Sequence, residues 1–181
     1  MPLNLPIVLT WLRIVLIPVF IGVFYVPWHW APPISALIFT LAALTDWADG
    51  YLARRLNQTS RFGAFLDPVA DKLMVAAALV MLTQAYASPW LTIASVIIIG
   101  REITISALRE WMAEVGQRGK VAVAFIGKLK TVTQMVALVL LLYKETVFGI
   151  DPQPIGMVLL YLAAVLTLVS MFKYLGAAFK V

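Results

Sequence analysis

Six apolar segments divided by short breaks run through this chain, and they constrain its fold more than any motif does. They cover about 6–26, 33–54, 68–86, 89–109, 121–143 and 155–174, each close to the roughly 20 residues a helix needs to cross a bilayer. A backbone in lipid must satisfy its own N–H and C=O groups, so segments of this length read as helices. Four of them open on a proline, which is tolerated in a first turn because the N–H there has no partner within the helix. The breaks VPWHWAPP, YASP and FGIDPQP are short and rich in turn formers. With 62% hydrophobic and 13% charged residues, the chain is neither an ordinary soluble domain, where about 25% charge is typical, nor disordered. The expectation is an all-α polytopic membrane protein with six transmembrane helices, forming a single domain over 1–181 without an internal repeat.

The basic residues predict how it sits. The connections at 27–32 and 87–89 carry no Lys or Arg, and the connection near Lys144 carries one. Arg54, Arg55 and Arg61, then Arg109, Arg118, Lys120, Lys128 and Lys130, and finally Lys173 and Lys180 all fall on the side shared by both termini. By the positive-inside rule that side is the cytoplasm. The 14 Lys and Arg outnumber the 9 Asp and Glu, an excess that in so apolar a chain signals loop retention and anionic lipid, not nucleic acid. With no cysteine, disulfides and thiolate metal sites are excluded. The start MPLNLPIVLTW has no basic region and Arg13 falls within the apolar stretch, so a cleaved signal peptide is not expected. Trp11, Trp28, Trp30, Trp47, Trp90 and Trp111 fall near span ends, as an interfacial aromatic belt would have them.

The carboxylates are concentrated instead. Asp46, Asp49, Asp67 and Asp71 are four of the nine acids and lie at the cytoplasmic end of the second span and the start of the third. Spacings of three and four put each pair on one face of a helix. Ionised carboxylates this close repel, and placing them beside lipid is costly unless something neutralises them. All-oxygen ligands select a hard divalent cation, with Mg²⁺ usual where phosphates complete the coordination, and two such ions can clamp the attacking and leaving oxygens of a phosphoryl displacement. For single residues other roles stay open: Asp67, before Pro68, as a helix N-cap, or Asp46 or Asp49 paired with Arg54 or Lys72. Gly50, Ala53 and Gly63 let helices approach, or let a flat group lie against the backbone. Arg54 and Arg55 are equally readable as snorkelling residues at a span's end.

Written out, Asp46-x2-Asp49-Gly50-x2-Ala53-Arg54-x8-Gly63-x3-Asp67-x3-Asp71 fixes eight residues over 26 positions and resembles the signature of the class-I CDP-alcohol phosphatidyltransferases. The stretches NLPIVLTWLRIVLIP, TDWADGYLARRLNQTSRFGAFLDPVADK, GREITISALREWMAE and IGKLKT are similar to bacterial members that use sn-glycerol 3-phosphate as acceptor. The resemblance implies a six-helix enzyme of the bacterial inner membrane with its active site facing the cytoplasm, a homodimer, transferring a phosphatidyl group from CDP-diacylglycerol and releasing CMP. It implies that Asp46, Asp49 and Asp67 hold one Mg²⁺, that Asp46, Asp67 and Asp71 hold a second, with Mn²⁺ a possible substitute, and that Asp71 is the general base. Asp49, Gly50, Ala53, Arg54, Ser60 and Gly63 would contact the CDP-diacylglycerol, and the segment around Asn4, Thr10 and Arg13 would lie beside the nucleotide. Without cysteine, and with the lone His29 in a loop predicted on the opposite face, direct in-line displacement is preferred over a covalent phosphatidyl-enzyme.

The acceptor's dianionic phosphate calls for Arg or Lys. Arg109, Arg118, Lys128 and Lys130 lie toward the cytoplasm, although Lys128 and Lys130, two apart, cannot both face one site on a helix. Arg101, read near the start of the fourth span and beside Glu102, either lines a polar cavity or forms half of a buried ion pair. Each of these cations is also explicable as a positive-inside charge. Two rival functions are a divalent-cation transporter and the same donor chemistry with another acceptor, such as inositol phosphate, serine or an aminoalcohol. Clustering of the acids at one interface, without a mirrored second half, counts against transport.

Overall fold

A computed structural model describes residues 5–56, 61–116 and 125–178, with side chains described except at 5–8, 46–56, 61–65, 67, 125, 126, 128, 173, 177 and 178. Six helices follow one another: α1 (Leu5–Tyr25), α2 (Ala31–Leu56), α3 (Arg61–Tyr86), α4 (Pro89–Glu114), α5 (Phe125–Tyr143) and α6 (Pro152–Ala178). Among the described residues the only β pairing is one isolated bridge, between Val147 and Ile150. Three helices are long and apolar enough to cross a membrane, over Pro68–Tyr86 of α3, Pro89–Glu114 and Pro152–Gly176. Shorter apolar helical stretches run over Leu9–Tyr25, Ala31–Thr45 and Leu129–Tyr143. The expected all-α membrane fold with six helices is therefore present.

Several ends differ from the hydropathy reading. Helix α3 begins at Arg61, so Pro68 lies inside it and does not open it, and Pro18 lies inside α1. Each interior proline removes one backbone hydrogen bond, a loss that membrane helices tolerate because neighbouring groups re-satisfy the freed carbonyl. Helix α4 continues five residues past Arg109, to Glu114. Hydropathy marks where a helix meets lipid, whereas the hydrogen-bond ladder of a helix has no reason to stop at the headgroups. What does stop α4 is Gly116, whose φ of +76° suits a residue without a Cβ; its N–H donates to the Ala113 carbonyl at 3.2 Å.

The chain divides into two compact units. In the first, Met1–Met81 with Leu142–Pro152, the buried rings of Phe20 and Phe39 meet with centroids 6.1 Å apart. Ala36 and Ala42, also buried on α2, keep that face narrow, and small residues are what allow membrane helices to approach. In the second, Leu82–Leu141 with Gln153–Val181, Ile105, Met112 and Tyr174 form a buried cluster flanked by Leu108 and Met171. The Tyr86 hydroxyl donates to the Leu141 carbonyl at 3.0 Å, and Gly156 packs so tightly that a Cβ there would meet Leu141 Cγ at 2.9 Å.

Candidate functional site

The first unit carries the acidic signature. Asp46, Asp49, Gly50, Ala53 and Arg54 occupy the C-terminal half of α2, and Gly63, Asp67 and Asp71 occupy the first eleven residues of α3. The two pairs of aspartates thus lie on consecutive helices, at the end of one and the start of the next, with the three- and four-residue spacings that keep each pair on one helical face. Asp67 is the seventh residue of α3, which removes its alternative as an N-cap: a cap stands outside the first turn, where backbone N–H groups are still without partners. Asp71 is half-buried and already engaged by a neighbour. As a donor set, four carboxylates on two successive helices supply only hard oxygen ligands, a chemistry that fits Mg²⁺ or Mn²⁺. Among the described side chains no group of three or more His, Cys, Asp or Glu could hold a metal ion; those of Asp46, Asp49 and Asp67 lie outside that description, as does Ser60 entirely.

Thr10 and Arg13 sit one turn apart on α1 and are both fully buried. Each makes a polar or ring interaction, as burial of a guanidinium requires. His29 lies in the turn before α2, its ring 4.8 Å from that of Trp30. Along α2 it is separated from Asp46 by about 25 Å, at 1.5 Å of rise per residue.

The second unit holds the cations. Arg101 is not near the start of α4 but at its middle, and only 6% exposed. Its Nη1 donates to Glu102 Oε1 at 2.7 Å, and the same oxygen accepts from Lys130 Nζ at 2.5 Å. Arg101 Nη2 reaches Ser170 Oγ at 3.5 Å, and Ser170 donates to the Thr167 carbonyl at 2.9 Å. The guanidinium carbons of Arg101 and Arg109 lie 5.8 and 6.0 Å from the centroid of the Tyr174 ring, within the range in which an aromatic face attracts a cation. Arg101 is thus both half of a buried ion pair and the centre of a polar cluster. Lys130 is buried with it, Arg109 is exposed, the Lys128 side chain is not among those described, and Arg118 lies outside the described residues.

From the sequence Glu102 is named only as the neighbour with which Arg101 could form an ion pair, and Gln134, Thr167, Ser170 and Tyr174 are not singled out. A signal for them exists. Lys130 and Gln134 are four apart on α5, and Thr167, Ser170 and Tyr174 are three and four apart on α6, so each set forms a polar stripe on an otherwise apolar helix, and each of these residues is buried. A cavity of about 270 Å³ among the described residues is a different place: it is lined by Trp90, Ile93, Ala94, Ile97, Tyr161 and Ala164 and offers apolar contact, without the charged groups that phosphate chemistry needs.

Comparison with known proteins bears on these residues as a set. Residues 3–169 match the family model described as CDP-alcohol phosphatidyltransferase. The chain is 57% identical over 178 residues to a protein of Salmonella typhimurium, 58% over 180 residues to one of Sodalis glossinidius and 57% over 178 residues to one of Pectobacterium atrosepticum, each covering 98% of this chain and 96% of the relative. All three relatives carry the name CDP-diacylglycerol–glycerol-3-phosphate 3-phosphatidyltransferase.

Proposed function

This chain belongs to the CDP-alcohol phosphatidyltransferase family, and on that premise we propose that it transfers the phosphatidyl group of CDP-diacylglycerol to sn-glycerol 3-phosphate, giving phosphatidylglycerophosphate and CMP. The observation that carries this reading is the identity of 57–58%, spread over nearly the whole of both chains, to proteins named for that reaction. The reaction is a step of phospholipid biosynthesis in a bacterial inner membrane, with 1–181 acting as one catalytic domain, as a homodimer, and with both termini and the active site on the cytoplasmic side. The placement of the basic residues supports that orientation.

Asp46, Asp49 and Asp67 would hold one Mg²⁺ and Asp46, Asp67 and Asp71 a second, and metal bound there would supply charge neutralisation for the pyrophosphate and for departing CMP. Asp49, Gly50, Ala53, Arg54, Ser60, Gly63 and Thr10 contact the donor, whose acyl tails stay in lipid. The Asp71 carboxylate takes the proton from the acceptor's primary hydroxyl as that oxygen attacks the phosphorus bearing the diacylglycerol and the bond to the CMP oxygen breaks. Arg101 and Lys130, with Arg109, Arg118 and Lys128 as further cations, bind the acceptor's phosphate. Direct displacement is supported by the absence of cysteine and by the distance of His29 from the aspartates along α2.

The test is a panel of labelled acceptors given to the purified protein with CDP-diacylglycerol and Mg²⁺. Product is expected with glycerol 3-phosphate and not with inositol phosphate, serine or an aminoalcohol. Product only with one of the others would overturn the acceptor assignment.

A further inference from the structure

The proposed reaction gives Glu102 no task, yet Glu102 is the residue on which the buried cations converge. Neighbouring positions on a helix do not face one another. Glu102 nonetheless bends its carboxylate onto the Arg101 guanidinium and in the same move meets Lys130 from α5, so that one oxygen, Oε1, accepts from both. Two cations held this close in the interior repel unless an anion stands between them. The cluster's other resources are unspent. Arg101 Nε is buried and has no hydrogen-bond partner among the described residues, and its Nη2 makes only the 3.5 Å approach to Ser170; one turn from Ser170 and from Lys130 along their helices, the buried Oγ1 of Thr167 and Oε1 of Gln134 also lack partners there. Among the described residues of the cluster, the buried Arg101 and Lys130 share a single carboxylate, with the exposed Arg109 beside the Tyr174 ring, a balance that leaves room for one further anion.

The chemistry of the acceptor adds a requirement. Its phosphate is not consumed but leaves on the product, so the site that captures it must also let it go. A nest of buried cations with no anion of its own would hold that phosphate too well. Resting on the assignment of Arg101 and Lys130 to the acceptor's phosphate, we infer that Glu102 is a resident counter-anion. It is a positioning residue whose carboxylate keeps the two cations together while the site is empty, yields its hydrogen bonds to the arriving phosphate, and reclaims them as the product departs.

The test compares the full-length wild-type protein with Glu102→Gln and Arg101→Gln at saturating CDP-diacylglycerol and Mg²⁺, reading kcat, the KM for glycerol 3-phosphate and competitive inhibition by inorganic phosphate. Glu102→Gln should lower both the KM and the phosphate inhibition constant about tenfold, the order expected on removing one like charge a few ångströms from a phosphate, and should lower kcat because product is retained. Arg101→Gln should raise both constants. If Arg101→Gln raises them while Glu102→Gln leaves them unchanged or raises them, the counter-anion role is overturned and the phosphate assignment stands. If Arg101→Gln changes neither constant, the phosphate assignment fails and the inference with it. Should Glu102→Gln not fold, Glu102→Asp, one methylene short of bridging both cations, is expected to shift both constants the same way by about threefold, a fraction of that charge effect; unchanged or raised constants there overturn the role equally.

Discussion

The two charged regions of this molecule are built by opposite means. In the first unit, four carboxylates come from two consecutive helices and a 26-residue stretch of chain; they are donors of one kind, and in the proposed reaction a hard cation balances them. In the second unit, Arg101 and Glu102 from α4, Lys130 from α5, and Ser170 and Tyr174 from α6 meet in a buried cluster that contains its own counter-charge. The difference suits the two tasks proposed for these regions. A resident metal can be held by a single sign of charge on a short segment, because the ion stays. A phosphate that arrives and leaves with each turnover is better served by cations already partly neutralised, since a fully uncompensated buried charge costs too much in the empty state.

Three substitutions can break or sharpen this contrast, and the largest effect belongs to the acidic region. Asp71→Asn should lower kcat by about 10²–10⁴-fold, the usual contribution of a general base, while protection of the protein against heating by CDP-diacylglycerol is kept. Normal turnover in that variant would remove the base from Asp71. Next in size is Arg101→Gln, expected to raise the KM for glycerol 3-phosphate about 10–100-fold, as loss of charge-assisted hydrogen bonds implies, with the KM for CDP-diacylglycerol unmoved. A parallel rise in both KM values would show that the cationic cluster does not discriminate acceptor from donor. Smallest is Gly156→Ala, which forces a Cβ against the fully buried Leu141 and to 3.3 Å from the Ala137 carbonyl. It should cost about 1–3 kcal/mol of stability, as overpacking does, measured as a lower melting temperature, with both KM values unchanged. A changed acceptor KM would mean that α5–α6 packing, and not the charges alone, tunes the anion site.

The acidic region was legible because its grammar is local. Spacings of three and four between aspartates translate directly into helical faces, and acids are scarce enough in an apolar chain that four in one stretch stand out. Where the reading slipped, the cause was the same reliance on hydropathy. Helix α3 was expected to open at Pro68 because the apolar run begins there, but the helix starts seven residues earlier, at Arg61, with Asp67 in its interior. The cationic region was only half legible. Arg101, Lys130 and Arg109 could be named as cations, and the possibility that Arg101 pairs with Glu102 could be stated, but the partnership of Lys130 with that same carboxylate joins residues 28 apart in sequence.

By itself the sequence determined the all-helical membrane architecture, the six helices, and the placement of the four aspartates as two same-face pairs on successive helices. All three follow from composition and from spacings within a single helix, and a helix in lipid has little freedom to do otherwise. Only the tertiary structure decided which cations are buried together and on which oxygen they meet. That choice depends on how α4, α5 and α6 pack, and no spacing along one helix encodes which side chain of its neighbour will stand opposite: Lys130 at Glu102, Ser170 and Tyr174 at Arg101.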